Sequence, residues 1–236
     1  MILRHMATHK QLRENKDQHK PKNTKSKVDD KRVLEAMNKT IQYINERFPN
    51  LETDGYYIEY QKRVNLSDLI AIIKGYEKRN EYSPLTNEDA FISPDGGILL
   101  LKKKGDKKYQ RLVLVVEMKR QGTNDEREKE GKKKQAQGNA VERLGKNLIG
   151  VRSTLQYENI TPFVCFGWGV DFEKGSSILD RVITMNEFYS LNKIYVFKKE
   201  GYSPVSMFFR KEQWSVKELF EIMKEIAETS IRNYIH

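Results

Sequence analysis

Two short apolar runs constrain this chain most: Ile98-Leu99-Leu100-Leu101 and Leu112-Val113-Leu114-Val115-Val116. Each is bounded by turn residues and is too short for a core helix, so each reads as a strand buried on both faces. Between them lies KKKGDKKYQR, with Gly105-Asp106 at its centre as a hairpin turn. A turn at those two residues sets residue 95 opposite residue 116, one position from Glu117. Asp95 stands in a Pro94-Asp95-Gly96-Gly97 break at the mouth of the first run, and Glu117 and Lys119 end the second. Being two apart on an extended strand, Glu117 and Lys119 project to one face, while Val116 and Met118 turn to the other.

That placement predicts chemistry. Two carboxylates brought together repel unless a cation neutralises them, and hard oxygen ligands with room for water suit magnesium. Phosphodiester hydrolysis needs an activated water, charge neutralisation on the phosphorane oxygens and help for the leaving alkoxide, all of which a divalent ion assists. Lys119 is placed to orient the water and stabilise negative charge. In a chain with 32% charged residues an Asp…Glu-x-Lys pattern arises often by chance. Polar groups that end a buried strand, however, mark a site more often than a surface.

With 236 residues and 38% hydrophobic content, one core is the expectation. The formal net charge of +10 suits a polyanionic partner. Cys165 is the single cysteine, which excludes an internal disulfide and a cysteine-rich zinc site and fits a reducing compartment. No apolar run approaches a membrane span, so a cytoplasmic protein with no membrane partner is expected. Residues 1–28 carry many lysines and arginines against Glu14 and Asp17, and read as a flexible basic arm that is either solvated or wraps a polyanion. Residues 29–236 read as a single domain.

Along that domain, Val33, Met37, Ile41, Ile44 and Phe48 recur at helical spacing from an Asp29 or Asp30 cap to Pro49. A shorter helix starting at Asn65 or Ser67 is predicted to end at Gly75. Further strands are expected at Pro162–Gly167 and Ile194–Phe197. Ser215 and Glu218 open a last helix that buries Leu219, Phe220, Met223, Ile226 and Ile231. Trp168 and Trp214 are expected in or beside the core. Gly138-Asn139-Ala140-Val141-Glu142-Arg143 opens a helix carrying Leu144, Leu148 and Val151 on one side. Asn139 with Glu142 makes a capping box, and the alternative is a helix N-terminus entering a major groove, where Asn, Glu and Arg reach base edges. The lysines of the hairpin and Lys132, Lys133 and Lys134 either clamp phosphates or keep the surface soluble, and adjacency to this segment favours phosphate for the second group.

In SPDGGI, LVLVVEMKRQG, GNAVERLGKN, SSILDR and QWSVKELFEIMKEIAETSIR, taken in that order, the chain resembles the EcoRI-like type II restriction endonucleases of the PD-(D/E)xK nuclease superfamily. The resemblance covers roughly residues 30 to 236. It implies an α/β fold with a mixed central β-sheet flanked by α-helices. Asp95 and Glu117 become metal ligands for Mg2+ and Lys119 the catalytic lysine. It assigns Asn139, Ala140, Glu142 and Arg143 to reading the inner AATT bases, and Arg181 to the DNA. The activity implied is magnesium-dependent hydrolysis of double-stranded DNA at a short palindrome with 5' overhangs, by a homodimer, with a companion DNA methyltransferase in the host.

Between Lys119 and Gly138 the chain departs from the family, being shorter and more charged, with Gln135-Ala136-Gln137 before the GNA motif. Gln135 is therefore a candidate reader of the outer base pair and Lys132 a phosphate contact. The rival functions are a repair or mobile-element nuclease on the same metal centre, a DNA-binding relative without catalysis, and an RNA-binding domain. The absence of an aromatic stacking motif speaks against the last.

Overall fold

Why the site lies where it does follows from β5 (Asp106–Arg120), the strand that runs through the middle of the molecule. The structure is a computed structural model and describes residues 24–69, 90–121, 127–133, 144–145, 148, 150–152, 154–155, 157–172, 180–182, 190–199 and 205–235. On one side β5 pairs antiparallel with β4 (Gly97–Lys103), which pairs antiparallel with β1 (Tyr56–Gln61). On the other side it runs parallel to β6 (Phe163–Trp168), itself parallel to β7 (Ser206–Arg210). The mixed sheet thus has the order β1-β4-β5-β6-β7, and β2 (Val64–Asn65) and β3 (Phe91–Ile92) form a separate pair. A strand with neighbours on both edges and layers on both faces must be apolar throughout. Leu112 to Val116 meet that demand.

Helices α1 (Thr24–Arg47) and α2 (Val216–Ile235) cover one face. Val33, Ala36, Met37 and Ile44 of α1 join Leu219, Met223, Ile226 and Ile231 of α2 against Leu99, Leu101, Val116 and Phe166. Burying these side chains stabilises the layer by about 1.5–3 kcal/mol each, less the entropy of fixing them. The opposite face buries Ile98, Leu100, Val115, Phe163 and Cys165 under Leu144, Leu148 and Val151.

The hairpin has the expected partners in a shifted register. Its tight turn is Lys104-Gly105, with Gly105 at φ 80°, since Lys103 pairs with Asp106. Leu100 pairs with Leu112 but Leu99 with Leu114, leaving Val113 as an extra residue on β5. At this bulge the alternation breaks: Val113 and Leu114 both enter the helix-side core, while Leu112 and Val115 enter the other. Glu117 and Lys119, in step with Val115, are thereby aimed away from the helices.

Two sequence expectations are corrected and one strand is added. α1 begins at Thr24, so Asp29 lies within the helix as no cap; its carboxylate accepts bonds from Trp168 Nε1 (3.1 Å) and Gln213 Nε2 (2.7 Å). Ile194–Phe197 is not a strand: in and beside it stand the isolated bridges Ile160↔Phe197 and Lys193↔Met207, and Thr161 N donates to Val196 O (2.7 Å). The ladder beside β6 belongs to β7, to which 192–197 is tied by side chains: Tyr195 N donates to Ser206 Oγ and Phe209 N to Asn192 Oδ1. β1 was not anticipated, because its Tyr-Tyr-Ile-Glu-Tyr-Gln run has no clean alternation and is half-buried along its whole length. The predicted second helix shows residues 66–69 as helical, and its remainder lies outside the described residues. The last helix follows its capping box, with Ser215 N donating to Glu218 Oε2 (2.9 Å) and Glu218 N to Ser215 Oγ (3.3 Å).

Candidate active site

Antiparallel pairing ends at Gly97↔Val116, and Gly96 N adds one more bond to Val116 O (2.9 Å). Two glycines make this mouth possible. A side chain at Gly96 would collide with Val33 and Val116, where α1 crosses closely, and Gly97 adopts φ 80°. The chain then turns Asp95 across β5. Asp95 Oδ2 accepts from the Met118 amide (3.3 Å) and from Lys119 Nζ (2.9 Å), and the Asp95 amide donates to Glu117 Oε2 (3.3 Å).

Lys119 also forms an ion pair with Glu117, so one ammonium bridges both carboxylates. The three side chains grade from the interior outward: Glu117 is 1% exposed, Lys119 16% and Asp95 35%. Burial works against the Lys119 ammonium, but the charges of Glu117 and Asp95 outweigh it and hold Lys119 above its usual range, protonated. Next to Glu117 across the parallel ladder, Cys165 is fully buried; burial, then Glu117, pushes its thiol well up, so it is no nucleophile. Two acids with one cation leave the cluster with surplus negative charge that opens to solvent at Asp95. Their oxygens are a hard donor pair suited to a divalent ion. Among the described residues no third acid, histidine or cysteine completes a metal cage, so water and substrate oxygens would complete the coordination.

The chain matches the family model described as "Restriction endonuclease EcoRI" over residues 19–177. It belongs to the EcoRI restriction endonuclease family. It is 27% identical over 241 residues to the type II restriction enzyme RsrI of Cereibacter sphaeroides, covering 85% of this chain and 82% of that one. It is also 28% identical over 179 residues to the type II restriction enzyme EcoRI of Escherichia coli, covering 60% of this chain and 64% of that one. Membership in the EcoRI family makes DNA the substrate, and type II restriction enzymes generally need a divalent metal. No described helix is long and apolar enough to cross a membrane.

Other expected site residues of this EcoRI-family chain are distributed differently. Gln135, Asn139, Ala140, Glu142 and Arg143 lie outside the described residues, although Leu144, Leu148 and Val151 of the same predicted helix are buried. Arg181 is exposed. Lys132 is exposed and paired with Glu130 at 2.7 Å. Lys102 and Lys104 of the hairpin are paired with Glu59 (2.9 Å) and Glu52 (4.0 Å).

Two residues near the centre escaped the sequence reading. Asp30 of α1 is held above its usual range by desolvation and then by Asp95 and Asp29, with Lys62 and Lys119 opposing. Only the crossing of α1 over Gly96 brings it near, and no local pattern announces that. Gln121 is 4% exposed, and its side-chain nitrogen finds no partner among the described residues. The signal was present there: Gln121 continues the two-residue spacing of Glu117 and Lys119.

Proposed function

We propose that this restriction endonuclease hydrolyses double-stranded DNA with magnesium at a short palindrome with an AATT core, leaving 5' overhangs. The single observation that carries the chemistry is the convergence of Asp95 and Glu117 on Lys119 at the open end of β4 and β5. Asp95 and Glu117 would hold the ion, which when bound supplies charge neutralisation for the phosphate and an acidified water. Lys119, kept protonated by its two acids, orients the attacking water and steadies charge on the reacting phosphate. Burial fixes Glu117 rigidly, so the geometry is set before substrate arrives.

Specificity rests on the GNAVER segment, where Asn139, Ala140, Glu142 and Arg143 read the inner bases and Gln135 the outer pair. Arg181 reaches the DNA and Lys132 its backbone, and the basic residues 1–28, the last of which open α1 from Thr24, follow that backbone. A palindromic site is met most economically by a two-fold homodimer, each subunit cutting one strand. A host carrying such an enzyme needs a methyltransferase of the same specificity. Digestion of a plasmid of known sequence with magnesium, followed by sequencing of the ends, is expected to give one palindrome with AATT at its centre. A different core refutes the base-reading assignment, and cutting that survives Asp95→Ala refutes the catalytic one.

A further inference from the structure

Where β1 ends and β3 leads toward Asp95, a cleft of about 500 Å³ is lined by Gln61, Lys62, Arg63, Phe91 and Ser93. Ile92 turns inward with Val64 to join the core, which leaves its neighbour Phe91 facing out, 49% exposed. Arg63 lies over the Phe91 ring at 4.9 Å, and Ser93 Oγ donates to Lys62 O (3.2 Å), tying the two walls together. Among the described residues neither Lys62 nor Arg63 has an acidic partner within salt-bridge distance, unlike Lys102, Lys104 and Lys132. Two exposed cations without a salt bridge among the described residues, set beside an outward aromatic, suit an anion with an apolar neighbour.

The cleft also lies close to Asp95 along the chain. Ser93 and Phe91 precede Asp95 by two and four residues, hence by no more than about 7 and 14 Å of chain. Lys62 and Lys119 act on the same Asp30 carboxyl as Asp95 does, so the cleft shares the electrostatic surroundings of the centre. Phosphates of one strand follow at about 3.4 Å of helical rise. A strand with its scissile phosphate at Asp95 that runs toward this cleft carries a further phosphate to it within about four nucleotides.

We propose that Lys62 and Arg63 hold a phosphate of the cleaved DNA strand beside the scissile one, with Phe91 packed on the adjoining deoxyribose. The contact is to the backbone, so it positions the strand and reads no base. It rests on the endonuclease reading above. Arginine stacked on an aromatic is pre-organised for such a fork, and loses less freedom on binding than a free side chain.

The test is binding of a duplex carrying the mapped cut site, and of an unrelated duplex, across a salt series. Calcium replaces magnesium as an oxygen-seeking ion of equal charge. The double variant Lys62→Gln/Arg63→Gln is expected to weaken both duplexes alike, by about tenfold or more, and to flatten the log-log salt slope by about 0.9 for the lost phosphate. The charge-keeping pair Lys62→Arg/Arg63→Lys should retain the slope, which separates lost charge from misfolding. Neutralising single phosphates as methylphosphonates should reveal one position near the cut that matters to the wild type and not to the double variant. An unchanged slope, or equal sensitivity of both proteins at every phosphate, overturns the proposal. If the wild type cuts the plasmid and these results fail, the cleft alone is refuted; if the wild type cuts no duplex, the endonuclease reading falls and this one with it.

Discussion

Lys119 and Arg210 stand at the same end of the sheet, at the C-terminal ends of the parallel strands β5 and β7 with only β6 between them, and they solve opposite problems. Arg210 meets one acid: its guanidinium is bidentate to Glu218 at 2.7 and 2.8 Å and lies over Trp214 at 3.7 Å. Its Nε donates to the carbonyl of Glu212 and Nη2 also to that of Gln213, and Glu218 completes the cap of α2. Charge is balanced and the geometry closed, as in a structural fastening. Lys119 meets two acids, one fully buried, and the sum stays negative. A cluster left short of positive charge is poor at holding a fold together and good at recruiting a cation. Chemistry, and not the presence of an ion pair, separates the two strand ends.

The largest effect should come from Glu117→Gln. Magnesium-dependent nicking of supercoiled plasmid is expected to drop about a thousandfold or more, as when other preorganised charge is removed from an active site. Thermal stability should hold or rise, because the surplus charge is relieved; a matching fall in melting temperature would erase the contrast with Arg210. Next, Lys119→Met leaves Glu117 buried without its cation, and urea unfolding should show a loss of about 3 kcal/mol. Magnesium should recover more of that loss than it adds to the wild type, since it replaces the missing charge; equal gains would mean that the carboxylates do not hold the ion.

The smallest effect belongs to the fastening. Glu218→Gln is expected to cost no more than about 1 kcal/mol at neutral pH, because the carboxylate is 43% exposed and screened. Its acid response is more telling. The bond from Arg210, then those from Ser215, lower the Glu218 carboxyl from 4.5 to about 2 in the folded protein. A depressed acid adds stability in full above the unfolded value and loses it as pH falls toward the folded one. The gap between wild type and variant should therefore be constant above pH 4.5 and close toward pH 2. A gap that persists at pH 2 would assign the stabilisation to packing instead.

What was legible in the sequence depended on how local its cause is. The proximity of Asp95 to Glu117 could be read because a hairpin brings the two together. The register differs by two residues at Val116, which the turn chemistry could not reveal, yet Asp95 still reaches Met118 and Lys119 because the PDGG turn folds it back over the strand. The Ser215–Glu218 cap is local and was readable for the same reason. β1 was hidden because an edge strand half-buried on both faces carries no alternation, and β7 because its run competes with Ile194–Phe197. Asp30 and the Lys62–Arg63 cleft depend on which helix or strand crosses the mouth of the hairpin, a long-range fact with no short-range mark.

The extra residue at Val113 gives the strand something like a reading frame. On the turn side of it side chains fall in one phase, and on the side of Glu117 and Lys119 in the other. A relative lacking that one residue would keep its hydrophobicity, its hairpin and all three reactive residue types. One half of its strand would nevertheless be turned over, burying either the polar side of the hairpin or Glu117 and Lys119 beneath α1. Grafting the Asp…Glu-x-Lys set onto another sheet thus demands matching phase as well as spacing, and a gap of one within the strand, trivial on paper, separates a nuclease from an inert copy.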